Sequence, residues 1–113
     1  MKHVTIKQAK EFENSSTCYG VEYPIGDNDI NVALIQIAGR YPEQGNTYNS
    51  ISKEILYVVQ GEGTAHFEGH TYTLKNNDVL FIDKNEKYHL QGHMTLFVPC
   101  TPAWTQAQHK MVP

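Results

Sequence analysis

An all-β sandwich or small barrel is predicted from three features of the sequence. Short runs rich in Val, Ile, Tyr, Phe and Thr recur along the chain. Clusters of Gly, Asn, Asp and Pro separate them. No helical apolar period lasts beyond a turn or two. That rhythm of strand and turn suits closed or stacked antiparallel sheets.

The elements follow in order. Residues 1–13 read as an extended lead, with Lys7 to Phe12 able to make one helical turn. Asn14 to Thr17 is a polar loop. Cys18 to Pro24 alternates weakly and reads as a strand ended by its proline. Gly26 to Asp29 is a turn cluster. Ile30 to Ala38 is a strong strand, apolar on both faces, and the stretch from Gly39 to Asn46 is expected to break it. A strand resumes over Thr47 to Ser52.

The densest stretch is Lys53 to Gly63, a strand running into glycines. Side chains alternate along it, so Glu54, Leu56 and Val58 share one face and Ile55, Tyr57 and Val59 the other. Both faces are apolar apart from Glu54. That predicts burial on both sides and points Glu54 into an enclosed space. A carboxylate there needs a partner or a task.

After Gly63, Thr64 to Phe67 and Thr71 to Leu74 flank Glu68-Gly69-His70 as a hairpin. His66 falls on its solvent side and His70 at its turn. Val79 to Ile82 is a short buried strand. Tyr88 to His93 is a further strand or strand end, with Gly92 expected to interrupt it before Met94 to Val98. The tail, Thr101 to Pro113, carries Trp104, the single tryptophan. It is expected to pack on the barrel or along a partner subunit. His3 and His109 sit near the termini and are expected to be solvated.

Composition narrows the function. The chain has 113 residues, 40% hydrophobic and 19% charged, enough for one core and one domain. A net charge of -3 with no basic cluster argues against nucleic acid. No apolar run reaches the ~20 residues of a membrane helix. The first residues do not read as a signal peptide, so the cytoplasm is the expected compartment. Cys18 and Cys100 fit no paired metal or redox motif and read as free thiols. Cys100 lacks a basic neighbour that would lower its pKa.

One resemblance covers residues 30–98. Glu54, six residues and Gly61 match the end of the first cupin motif, G-x5-H-x-H-x3-4-E-x6-G. Val79 to Ile82 and His89 resemble the second, with one extra residue before His89. The chain thus resembles the cupin superfamily, which implies a jelly-roll double-stranded β-barrel over residues 30–98 within a single domain spanning 1–113. The same resemblance implies a homodimer.

The departures shape the functional expectation. The positions of the two first-motif histidines hold Tyr48 and Ser50, or Thr47 and Asn49 in the alternative spacing. Only Glu54 and His89 would remain of a cupin metal set, and two ligands do not fill a zinc or non-haem iron site. No cofactor is expected, with a weak divalent ion on Glu54 and His89 as the rival. Tyr48, Ser50, Ser52 and Glu54 would share one strand face. The expected ligand-binding set is therefore Tyr48, Ser50, Glu54, His89 and Gln91, with Tyr48, Glu54 and His89 as the catalytic candidates. The functional expectation is a barrel that binds a sugar-like or carboxylate metabolite. A metal-independent isomerase, epimerase or lyase using Glu54 and His89 is the alternative. A sensory or interaction module ranks last.

Overall fold

The structure, a computed structural model, describes all 113 residues and contains no α-helix. Nine strands run in the order β1 (Lys10–Ser15), β2 (Cys18–Tyr23), β3 (Asn31–Tyr41), β4 (Asn46–Asn49), β5 (Lys53–Phe67), β6 (His70–Leu74), β7 (Val79–Ile82), β8 (His89–Thr101) and β9 (His109–Val112). A short 3₁₀ turn over Ile6–Gln8 precedes β1. The large antiparallel sheet has the order β1-β2-β3-β8-β5-β6, and β7 pairs with the first part of β5. A second sheet, β4 with β9, is tied to it by a bridge between Thr47 and Tyr88. The architecture is the all-β jelly-roll barrel of cupins.

The strands are longer than the glycines imply. β5 runs through Gly61 and Gly63, β3 through Gly39, and β8 through Gly92. Gly92 lies between Gly39 and Gly63 on neighbouring strands. A Cβ on Gly92 would stand 2.5 Å from the Gly63 Cα, and its φ of +135° disfavours any side chain. These glycines bring backbones close where the sheet bends around the barrel, so they curve the strands instead of ending them.

β1 was expected as a lead and loop. It is an exposed edge strand, mostly polar on both faces, so no period-2 apolar signal marks it. The tail likewise holds an unforeseen strand, β9, made by pairing with β4.

The inner face carries Leu56, Val58, Leu90, Met94, Leu96 and Val98, all buried. Burying each such side chain contributes about 1.5–3 kcal/mol. The outer face differs from the expectation of two-sided burial. Ile55, Val59, Val79 and Phe81 are exposed at 41%, 46%, 56% and 56%. Nothing in the chain packs over them, because this fold has one core inside the barrel and no second layer outside it.

Candidate functional site

The barrel encloses a cavity of about 290 Å³. Just over half of its lining residues are hydrophobic, and one polar cluster gathers from four places: Tyr41 at the end of β3, Glu54 on β5, Tyr88 just before β8, and Trp104 with His109 in the tail. Lys10 and Glu22, paired across β1 and β2, also line it, with Glu11, Glu13 and Asn14 of β1.

Strand parity explains which side chains enter. In β8 the even-numbered residues Leu90, Met94, Leu96, Val98 and Cys100 point inward. Read back through Gly92, the same parity turns Tyr88 inward and His89 and Gln91 outward. Tyr88 is 7% exposed and Gln91 is open to solvent. His89 stacks on His66, its cross-strand partner, at 4.3 Å between centroids, and bonds Asn46 Oδ1 through Nδ1 at 3.0 Å. Burial, then Arg40, then His66 lower its pKa. His89 does not line the cavity, so it cannot share a ligand or an ion with Glu54.

The β4 residues correct the other half of the expected set. Thr47 and Asn49 are buried at 0% and 3%, whereas Tyr48 and Ser50 are only partly buried and do not line the cavity. Lys87 Nζ lies over the Tyr48 ring at 5.7 Å, on the outside. Ser50–Ser52 is a bend, so parity counted back from Glu54 does not survive into β4. The tail holds that bend in place: Ser50 N–H donates to the Gln108 carbonyl at 3.0 Å, and Ser52 N–H to Gln108 Oε1 at 2.7 Å. Ser52 is buried, but its hydroxyl is spent on the Pro102 carbonyl at 2.8 Å.

Of the expected site residues, only Glu54 enters the cavity. An imidazole does meet it, but from His109 and not from His89. Asn49 and His109 face each other across β4 and β9, which turns both inward. A continuous string of hydrogen bonds results. Trp104 Nε1 donates to Asn49 Oδ1 at 3.0 Å, His109 Nδ1 meets the same oxygen at 2.8 Å, and Asn49 Nδ2 donates to Glu54 Oε1. Tyr41 OH meets His109 Nε2 at 2.6 Å.

The chemistry of the donors assigns the protons. An indole N–H only donates, so the Asn49 atom it meets is the oxygen. That oxygen only accepts, so His109 carries its proton on Nδ1. Neutral His109 then has a bare Nε2, and Tyr41 donates into it. Thr47, 3.1 Å from the same nitrogen, spends its proton on the Lys110 carbonyl at 2.8 Å. Burial lowers the His109 pKa and raises that of Tyr41, which favours these neutral forms.

Glu54 is 9% exposed, and burial pushes its pKa up to about 7, against which the Asn49 hydrogen bond works. The string uses only one of its oxygens, Oε1. Tyr88 makes no side-chain hydrogen bond, yet none of its polar atoms is sealed from the cavity. Its hydroxyl and Glu54 Oε2 are therefore a donor and an acceptor left for a guest. Burial, then Glu54, hold the Tyr88 phenol far above its usual range. Cys18 and Cys100 also line the wall, and burial pushes both thiols up to about 12.

These donors do not fit the divalent metal that the cupin fold implies. Thr47 and Asn49 stand where the alternative motif spacing puts histidines, and both are engaged in hydrogen bonds. Tyr88 holds its proton. Glu54 is one carboxylate, and no three His, Cys, Asp or Glu side chains converge.

Tyr41, Asn49, Tyr88, Trp104 and His109 were not expected here. Two signals pointed toward part of the set: the alternative motif spacing named Asn49, and the even-residue apolar period of β8 names Tyr88. Nothing local marks Tyr41 or the tail residues, which reach the site only through tertiary pairing.

Comparison with known proteins agrees with the barrel. A sequence model of the AraC-like ligand binding domain matches residues 31–95. No curated protein sequence matches. Among solved structures, PAC13 of Streptomyces with uridine is similar at a TM-score of 0.87 and 18% identity, over 100% of this chain and 92% of that one. Pac13 is described as a nucleoside dehydratase. KdgF from Halomonas sp. has a TM-score of 0.74 at 12% identity, over 95% of this chain and 97% of its own. Ectoine synthase from P. lautus has 0.70 at 19%, over 89% and 80%. At these identities the likeness is one of fold.

Proposed function

The chain belongs to the AraC-like ligand binding domain family, a cupin-type barrel, and from that premise we propose that it binds a polar small molecule inside the cavity. The observation that carries this is the pair of groups without protein hydrogen-bond partners, Tyr88 OH and Glu54 Oε2, in a cavity whose wall there includes Leu56, Leu90 and Leu96. Neither atom is sealed off, so each is open to a hydrogen bond from a guest or from water. Together they suit a molecule offering a hydroxyl, or an amide-like edge with an acceptor beside a donor. The walls carry no arginine, and the acidic residues Glu11, Glu13, Glu22 and Glu54 outnumber Lys10. This balance favours a neutral ligand over the carboxylate first considered. The bound uridine of the PAC13 structure is a neutral polar molecule of this kind and serves as a first probe.

The test is thermal unfolding with uridine, other nucleosides and free sugars. A ligand at 100 times its Kd stabilises by about 2.7 kcal/mol. Tyr88→Phe and Glu54→Gln are expected to weaken the effect at least tenfold. Absence of any stabilising neutral ligand, or equal binding by both variants, refutes the reading.

A second reading, metal-independent acid–base catalysis, is favoured by the Tyr41–His109 contact. Elimination of water fits the groups. Tyr41 takes a proton from a ligand carbon as its own passes to His109 Nε2. Glu54 gives the proton on Oε2 to the departing hydroxyl, which leaves as water while a carbon–carbon double bond forms. Solvent then resets both residues. Tyr41→Phe is expected to retain binding and lose the dehydrated product by mass spectrometry.

We also propose a homodimer through the outer sheet face. Ile55 pairs with Phe81, and Tyr57 lies between Val79 and Phe97, making a continuous apolar band. At roughly 150–250 Å² per large side chain, the exposed fractions leave about 500 Å² per subunit, near the lower limit for a stable symmetric dimer.

A further inference from the structure

We infer that Trp104 is a positioning residue that selects one of two hydrogen-bond polarities open to the Tyr41–His109–Asn49–Glu54 string. The heavy atoms alone allow both. In one polarity Asn49 Nδ2 faces Glu54, His109 is protonated on Nδ1, and Tyr41 donates to Nε2. In the other the carboxamide is turned over. Nδ2 then donates to His109 Nδ1, a protonated Glu54 donates from Oε1 to the carboxamide oxygen, and His109 Nε2–H donates to Tyr41.

The two forms differ in what the cavity meets. In the first, Glu54 can hold a proton only on Oε2, the oxygen left to the chamber, and Tyr41 is backed by a base. In the second, the Glu54 proton turns away from the chamber and Tyr41 is backed by a donor.

The indole separates them. Trp104 Nε1 sits 3.0 Å from the Asn49 oxygen, and turning the amide over would set N–H against N–H where the Asn49 side chain is buried and the indole half-buried. Its ring cannot swing aside freely. The backbone N–H of Trp104 donates to Asn31 Oδ1 at 3.0 Å, and the ring meets His109 edge-on at 5.6 Å. Leaving this half-buried donor unpaired shifts such an equilibrium by about fivefold, the lower end of the range for a buried group.

The other groups facing Glu54 do not set the polarity. Tyr41, Tyr88, Cys18 and Cys100 keep their protons through neutral pH, and Lys10, Glu11, Glu13 and Glu22 line the same cavity without contributing to the Glu54 shift, which comes from burial and the Asn49 hydrogen bond. Without the indole, proton uptake by Glu54 becomes the event that permits the amide to turn.

The inference deepens the acid–base reading, but it is read on the ligand-free chain and stands or falls separately. The experiment is long-range proton–nitrogen NMR of the full chain with ¹⁵N-labelled histidine, with His109 assigned through His109→Gln. In the native protein, neutral His109 is expected as the Nδ1–H tautomer from about pH 6 to 8. In Trp104→Phe it is expected to convert to Nε2–H as pH falls through the Glu54 titration. In Trp104→Phe with Glu54→Gln that pH dependence is expected to vanish. A native His109 protonated on Nε2 overturns the inference without any variant. So does a Trp104→Phe protein whose tautomer matches the native one at every pH.

Discussion

Glu54→Gln tests the burial of the cavity carboxyl through the pH dependence of stability. Burial raises the Glu54 pKa from 4.5 to about 7. A group whose folded pKa lies above its unfolded value stabilises the fold when protonated. That contribution is complete below about pH 4.5 and is lost as pH rises through about 7. The shift is 7 − 4.5, or about 2.5 units, and at 1.36 kcal/mol per unit it amounts to about 3 kcal/mol. His109 and His89 act with the opposite sign, because their lowered pKa values add stability as pH rises through the ordinary histidine range. The raw curve therefore mixes both effects. The difference between native protein and Glu54→Gln isolates the carboxyl, since glutamine keeps an oxygen for Asn49 Nδ2 and has no proton to lose. Urea unfolding at several values between about pH 4.5 and 8 gives the two curves. Native stability is expected to fall by about 3 kcal/mol relative to the variant across that range. Parallel curves would refute the argument, as they would mean the carboxyl is solvated in the fold.

Two further predictions concern the wall and the outside. Cys18 and Cys100 are buried and their thiols lie at about 12, so neither is expected to react with a thiol reagent at pH 8 until the chain unfolds, when both react. Fast labelling of either in the native protein would contradict the packing. Phe81→Glu places a charge in the centre of the outer apolar band and is expected to give a monomer by sedimentation while the far-ultraviolet spectrum stays native. A native protein already monomeric at high concentration removes the dimer.

What the sequence determined by itself is the class of fold and the inward carboxylate. Alternation along a continuous strand is a local property, so Glu54, Leu56 and Val58 were readable as one face, and turn residues marked most strand ends. The same locality limits the reading. Parity does not pass through the bend at Ser50–Ser52, which is why Tyr48 and Ser50 stood in for Thr47 and Asn49. Gly92 looked like a break and is a point of curvature, and His89, named by its match to the second cupin motif, lies outside while the parity carried through Gly92 turns Tyr88 inward. Tertiary structure alone decided the rest. Tyr41 lies 68 positions from His109 in the chain, and they meet because β9 pairs with β4 and turns the imidazole into the barrel. An exposed tail and a tail that completes a sheet have the same local composition. Only the pairing partner tells them apart, and it comes from elsewhere in the chain.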